Sequence, residues 1–216
     1  MNLTHFSKAD LQQLERIYRM NLINSVSGFK SANLIGTRSN TGQANLAVFN
    51  SVMHIGSNPA MQGFIMRPLT VERHTYENIA ATGFYTINHI PVSHTAMAHY
   101  SSAKFQRTES EFSACDFTEI YLDDHPAPFV GESNIKMAMK LVQEIPIEAN
   151  GTLLIIGSIE HLYVDEAVID EDGALDLAKA DIAALSGLNS YYQSQRIAKY
   201  PYARVGSPSK DLLNGQ

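Results

Sequence analysis

The segment Arg67 to Thr82, RPLTVERHTYENIAAT, gathers two guanidinium groups, an imidazole and a hydroxyl where a strand gives way to a helix. Arg67 ends an apolar run, and Arg73, His74 and Thr75 stand near the start of a helical pattern that stops at Gly83. Guanidinium forks beside the free amides of a helix N-terminus form a cradle for a phosphate. The plainer reading of the same residues is a solvated basic turn. Upstream, the strip from Asn45 to His54, NLAVFNSVMH, mixes amide and small residues with apolar ones. There Asn45, Asn50 and Ser51 let backbone groups approach a flat heterocycle, and Val52 and Met53 supply apolar contact. Gly56-Ser57-Asn58-Pro59 then turns the chain back toward Arg67. The two strips are therefore expected to be neighbours across an antiparallel pair.

Other reactive side chains fall into less telling patterns. His74, His89, His94, His99 and His125 lie close in sequence, and neutral imidazole is a common metal ligand. The five-residue spacing of His89, His94 and His99 spreads them around a helix, so they read as solvated or singly hydrogen-bonded side chains and no metal is expected. Cys115 is the one cysteine, which excludes an intrachain disulfide and any multi-cysteine metal site. Nothing beside it marks an activated thiol. No nucleophile elbow, phosphate loop or strand–GxGxxG–helix arrangement occurs. The eight methionines suit core filling, although Met53, Met61 and Met66 would also wall a flat apolar ligand.

These residues sit in a chain of 216, of which 44% are hydrophobic and 18% charged, so a sizeable core is available and disorder is excluded. The formal net charge of −6 argues against a dedicated nucleic-acid binder, which needs a basic surface. Lys8, Asp10 and Glu15 break up the opening residues, leaving no secretory apolar run. No apolar stretch approaches the ~20 residues of a membrane span. The expectation is a soluble, cytoplasmic protein without nucleic-acid or membrane partners.

The elements that must position the two strips can be read from periodicity. A helix is predicted within residues 1–22, capped by Ser7, with Leu11, Leu14, Ile17 and Tyr18 on one face. Short apolar runs bounded by Gly, Asn and Pro predict strands over 32–37, 44–49, 61–66, 84–88, 135–143 and 152–164. In the fifth of these, Ile135, Met137, Met139 and Leu141 alternate with Lys136, Ala138 and Lys140, so one face is buried. Helices are predicted over 71–82, 93–100 and 176–185, with an acidic turn at Asp165 to Gly173. Residues 101–134 form a polar, irregular stretch suited to a functional loop, and 194–216 a polar tail. Many short strands with few helices favour a mainly β, antiparallel barrel with peripheral helices over a doubly wound sheet, in one domain spanning 1–216.

In order, these motifs resemble the flavin reductase-like family of FMN-binding split barrels. GQANLAVFNSV resembles its strand with a G-x-x-N-x-A opening, and GSNPAMQGFIMRP its S-x-D-P-P strand. ERHTYENIAATGFYTINHI resembles the block R-x-T-x-x-N-I-x-x-T-G-x-F-x-V-N. SAKFQRTESEF resembles the loop that follows and GLNSYYQ the terminal G-x-x-S-Y-Y segment. The resemblance spans residues 23–193. Asn50, Asn58 and Ala60 depart from it, standing where Ser, Asp and Pro are usual. It implies a Greek-key-like split β-barrel, a homodimer, and FMN held with its phosphate at Arg67, Arg73, His74 and Thr75. The flavin ring would lie along Asn45 and the Asn50-Ser51-Val52-Met53 backbone. It further implies reduction of flavin by NADH or NADPH, without a required side-chain acid or base. A flavoredoxin-like electron carrier serving a protein electron acceptor, or a non-catalytic FMN-binding module, is the alternative.

Overall fold

The computed structural model describes residues 1–206; residues 207–216 of the expected tail lie outside the described residues. Two short helices open the chain, α1 (Lys8–Gln13) and α2 (Arg16–Ser25). Ser7 caps α1 as the sequence suggests. Its hydroxyl accepts from the Asp10 N–H at 3.2 Å, and the Asp10 carboxylate accepts from the Ser7 N–H at 2.8 Å. The single helix expected here is in fact broken. Leu14 has extended backbone, and the Glu15 carboxylate takes the Ile17 and Tyr18 N–H groups at 2.7 and 2.9 Å, starting a second helix. Neither helix buries a residue, so the expected apolar face packs against no core of this chain.

Strands β1 (Lys30–Ser31), β2 (Asn33–Arg38), β3 (Ala44–Phe49), β4 (Met53–Ser57) and β5 (Ala60–Met66) come next. Helix α3 (His74–Thr82) and strand β6 (Phe84–His89) follow, then α4 (Thr95–Tyr100) and α5 (Glu111–Ala114). The remainder is β7 (Glu119–Ile120), β8 (Phe129–Val130), β9 (Ile135–Ile147), β10 (Thr152–Val164), β11 (Ala183–Ser186) and β12 (Ser190–Gln193). Seven strands form one antiparallel sheet in the order β3-β2-β6-β9-β10-β5-β4, and β1-β11-β12 form a second. The large sheet curls so that the end of β3 approaches β5, where Phe49 packs edge-on against Phe64 with ring centroids 5.0 Å apart. Just beyond β3, the Ser51 hydroxyl accepts from the Ile65 N–H at 3.1 Å and donates to the Ile65 carbonyl at 3.2 Å. The mainly β, antiparallel barrel with peripheral helices is as expected.

Strand β2 is buried almost throughout because both of its faces are covered. Leu34 points into one cluster with Leu46, Ile90, Phe112 and Leu185. Ile35 points the other way, to Phe64, Tyr85, Ile87, Met139 and Ile155. The alternation read from β9 holds in part: Met137 and Met139 join that second cluster and Lys140 is exposed, but Ala138, expected on the wetter face, is fully buried. Long strands β9 and β10 follow the curl through register shifts at Ile156/Gly157 and Ile159/His161. A Cβ on Gly157 would come 2.3 Å from the Tyr85 hydroxyl, so the bend needs a residue without a side chain.

Three expectations are corrected. The helix predicted over 71–82 starts at His74, because Arg73 has non-helical backbone (φ −133°, ψ 81°). No helix forms over 176–185. Turns run to Asp181, and Ala183–Ser186 is strand β11, paired with β1 and β12; tertiary pairing outweighs helical propensity. Finally, the expected antiparallel pairing of the strip from Asn45 to His54 with the strand ending at Arg67 holds only for its end. Met53 and His54, in β4, stand opposite Gly63 and Gln62 of β5, and Ser51 bonds Ile65, whereas the part of the strip in β3 pairs with β2.

Gly36 marks the tightest approach to β2. A Cβ there would lie 2.2 Å from the Pro128 carbonyl oxygen and 2.6 Å from the Thr86 hydroxyl. That hydroxyl donates to the same carbonyl at 2.6 Å, fastening the 126–129 segment over the strand. Gly36→Ala should therefore cost about 1–3 kcal/mol of stability through overpacking. Urea unfolding is expected to show a lower midpoint with an unchanged slope.

Candidate functional site

β3 ends the order of the large sheet and so has a free edge. In its pairing with β2, Leu46 stands opposite Gly36 and Val48 opposite Leu34. The Leu46 N–H points away from β2, since it donates to the Glu111 carboxylate at 3.0 Å. By the two-residue period of the ladder, the Val48 N–H and C=O point the same way. This edge floors an open cavity of about 830 Å³. The end of β5 and the start of α3 form one wall, the 99–107 stretch with Glu111 the other, and Leu185, Leu188 and Asn189 close one end.

Of the residues singled out from sequence, Asn45, Asn50, Ser51, Arg67, Arg73, His74 and Thr75 all line this cavity. Val52 and Met53 do not. Val52 packs on the cluster of Phe64 and Tyr85, and Met53 is exposed on β4. The polar positions are locked from behind. Asn45 Nδ2 donates to Thr75 Oγ1 at 3.1 Å and to Thr37 Oγ1 at 3.2 Å, and Asn78 Nδ2 donates to Thr37 Oγ1 at 3.0 Å. All four side chains are buried, so the first turn of α3 is tied to β2 and β3 in a fixed orientation. Asn50 Nδ2 donates to the Gly187 carbonyl at 2.6 Å, fixing the far end of the floor.

The start of α3 carries positive character that Glu72 and Glu77 offset only in part. No side chain caps the helix, leaving the His74, Thr75 and Tyr76 N–H groups without intrahelical acceptors. Arg67 is exposed, and Arg73 Nε is buried without a partner; neither guanidinium is ion-paired among the described residues. Nearby, Glu77 accepts from the Arg73 N–H at 3.0 Å and pairs with Arg107. Burial works to raise the Glu77 carboxyl, but the Arg73 N–H and Arg107 hold it below the usual range. His74 Nε2 lies 3.6 Å from Glu72.

Sequence reasoning places no residue of the other wall in the site. Glu111 and the 99–107 stretch carry no periodic signal, and only the reading of 101–134 as a functional loop and the loop motif SAKFQRTESEF point to them. His99 lines the cavity, with the Tyr191 hydroxyl 3.4 Å from its Nδ1; burial pushes that hydroxyl up to about 12. Elsewhere the histidines are scattered. His125 Nε2 lies 3.1 Å from the Tyr85 carbonyl oxygen, and burial takes His89 down to about 4. Among the described residues no group of three or more His, Cys, Asp or Glu is placed to hold a metal. Cys115 is buried, and burial together with Glu111 pushes its thiol up to about 11. No helix among the described residues is long and apolar enough to cross a membrane.

Residues 27–183 match the family model of the flavin reductase like domain. A protein designated a flavin reductase with split barrel domain, from Shewanella frigidimarina NCIMB 400, is 48% identical; the match covers 93% of this chain and 100% of that one, with a TM-score of 0.89. Nitrilotriacetate monooxygenase component B from Bacillus cereus is similar in fold at 17% identity, covering 92% of this chain and 99% of its own, TM-score 0.80. Flavoredoxin of Desulfovibrio vulgaris (Miyazaki F) is similar in fold at 22% identity, covering 82% and 92%, TM-score 0.71. No curated sequence matches the chain.

The Thr37 hydroxyl is the shared acceptor behind the site. Thr37→Val keeps the shape but leaves the Asn45 and Asn78 amides short of an acceptor in a buried place. A loss of about 1–3 kcal/mol is expected in denaturant unfolding.

Proposed function

This chain belongs to the flavin reductase-like family, and from that premise we propose that it binds FMN and reduces flavin with electrons from NADH or NADPH. The observation that carries the reading is the uncapped start of α3, where Arg73, without an ion pair and with its Nε lacking a partner, lines a cavity floored by a free strand edge. An orphaned guanidinium nitrogen beside unused helix amides suits a phosphate, and an exposed strand edge suits a planar ring with hydrogen-bonding atoms on its rim.

Under this reading Arg67, Arg73, His74 and Thr75 hold the phosphate, with Asn45 bracing Thr75. The outward Val48 backbone, Asn50 and Ser51 meet the ring. Ser51 serves through its backbone, because its hydroxyl is engaged with Ile65. The Asn50 amide nitrogen is likewise taken by Gly187, leaving its oxygen as an acceptor. When bound, FMN supplies the ring that accepts a hydride from reduced nicotinamide and passes the electrons on. The protein's part is to hold that ring on the β3 edge and leave one face open to the donor, so no side-chain acid or base is assigned.

The reading includes a homodimer. Helix α2 buries nothing, yet Ile17, Tyr18 and Ile23 on it and Phe29 and Tyr192 beyond it are exposed, which suits an interface with a second copy. Light scattering is expected to give twice the chain mass.

Purified protein should be yellow and release FMN on denaturation. Under anaerobic conditions NADH or NADPH should bleach it rapidly and turn over added flavin; sluggish bleaching would instead favour an electron carrier. Arg73→Ala should weaken FMN binding by roughly 10- to 150-fold, the value of a charge-assisted hydrogen bond to a dianion. Riboflavin, which lacks the phosphate, should bind wild type and variant about equally. Unchanged FMN affinity in both Arg67→Ala and Arg73→Ala would show that the phosphate lies elsewhere.

A further inference from the structure

The cavity lining contributed by the 99–111 segment contains one buried charge that the reading above does not use. Glu111 is 6% exposed and lines the cavity. The Leu46 N–H donates to its Oε2 at 3.0 Å, and its own backbone N–H lies close by. His74 lies near enough to act electrostatically on the carboxylate, but no salt bridge is formed with it and no side chain donates to it among the described residues. A carboxylate has about four acceptor positions, and a buried one that lacks donors is costly. Burial raises its pKa, against the pull of the Leu46 N–H, its own N–H and His74.

Its position along the floor narrows what could supply the missing donors. Leu46 follows Asn45, whose amide braces Thr75 at the cationic end, and precedes Val48 on the outward edge by two residues. The carboxylate thus stands between the end suited to a phosphate and the part of the edge suited to a ring. A phosphate would be repelled there, and the rim of a ring lies further along. What suits a buried carboxylate at that point is a neutral chain of hydroxyl groups.

Building on the flavin reading, we propose that Glu111 determines specificity for the polyol linker of the cofactor, accepting hydrogen bonds from the ribityl hydroxyls. The carboxylate then selects flavins that carry a hydroxylated side chain over the bare ring, independently of the phosphate. Held by Leu46, it is already oriented before the ligand arrives.

The test compares riboflavin with lumiflavin, which has the same ring and no ribityl chain, by fluorescence titration. Wild type should prefer riboflavin. Glu111→Ala should weaken riboflavin by about 10- to 150-fold and leave lumiflavin within about twofold. Glu111→Gln keeps an acceptor for the Leu46 N–H and should weaken riboflavin by about three- to tenfold, neutral hydrogen bonds being roughly half as strong as charge-assisted ones. If Glu111→Ala does not fold, the Glu111→Gln comparison decides alone. Equal losses for both ligands would mean that Glu111 only supports β3, and unchanged riboflavin affinity would mean that it meets no hydroxyl; either result overturns the proposal. Wild type binding none of lumiflavin, riboflavin or FMN would overturn the flavin reading itself, a failure distinct from that of Glu111 alone.

Discussion

Four buried polar side chains, Thr37, Asn45, Thr75 and Asn78, tie the first turn of α3 to the edge of the large sheet, and the geometry of the cavity follows from that tie. Buried amides and hydroxyls hold position tightly because a lost partner leaves a desolvated donor or acceptor behind. The register between α3 and β3 is therefore set by hydrogen bonds of fixed direction, where apolar packing alone would tolerate sliding. With it come the relative places of Arg73, His74 and the outward face of β3. A cationic helix start and a free strand edge become two parts of one surface.

A free strand edge is ordinarily a hazard, since unpaired amides invite pairing with another chain. Here the edge of β3 is managed piecemeal. Glu111 covers the Leu46 N–H, Asn50 is anchored to Gly187, and Ser51, just beyond the strand, is fastened to β5 through Ile65. What is left uncovered between these points is the Val48 backbone, and it lies in the cavity. Leaving one backbone segment open while fastening both ends gives a ligand directional hydrogen bonds without loosening the fold. Family membership alone would say less, because a fold hosts many activities and the site has to be argued from its own residues.

Parts of this were open to a reader of the residues. The limits of β3 and β10, the capping box at Ser7, and the left-handed stop at Gly83 depend on neighbours a few positions apart, and each stands where local pattern places it. Local pattern failed at 176–185, where a helix-compatible stretch became β11 because β1 and β12 offered it a ladder. It failed also at Leu14, where no local signal weighed against continuing the helix until the Glu15 carboxylate captured the next two amides.

By itself, then, the sequence determined the residue types at the cationic turn and the amide-rich strip, their order, and the mainly β character of what lies between. These are properties of spacing and composition, carried by interactions of short range along the chain. Only the tertiary structure decided which strand would be left at the edge, that β4 and not β3 would pair with β5, and that Glu111, 65 residues beyond Leu46, would complete the other wall. The physical reason is that a cavity is a negative space. Its shape is set by where a curled sheet closes and what packs across the gap, and no periodicity along one strand records what will face it from elsewhere in the chain.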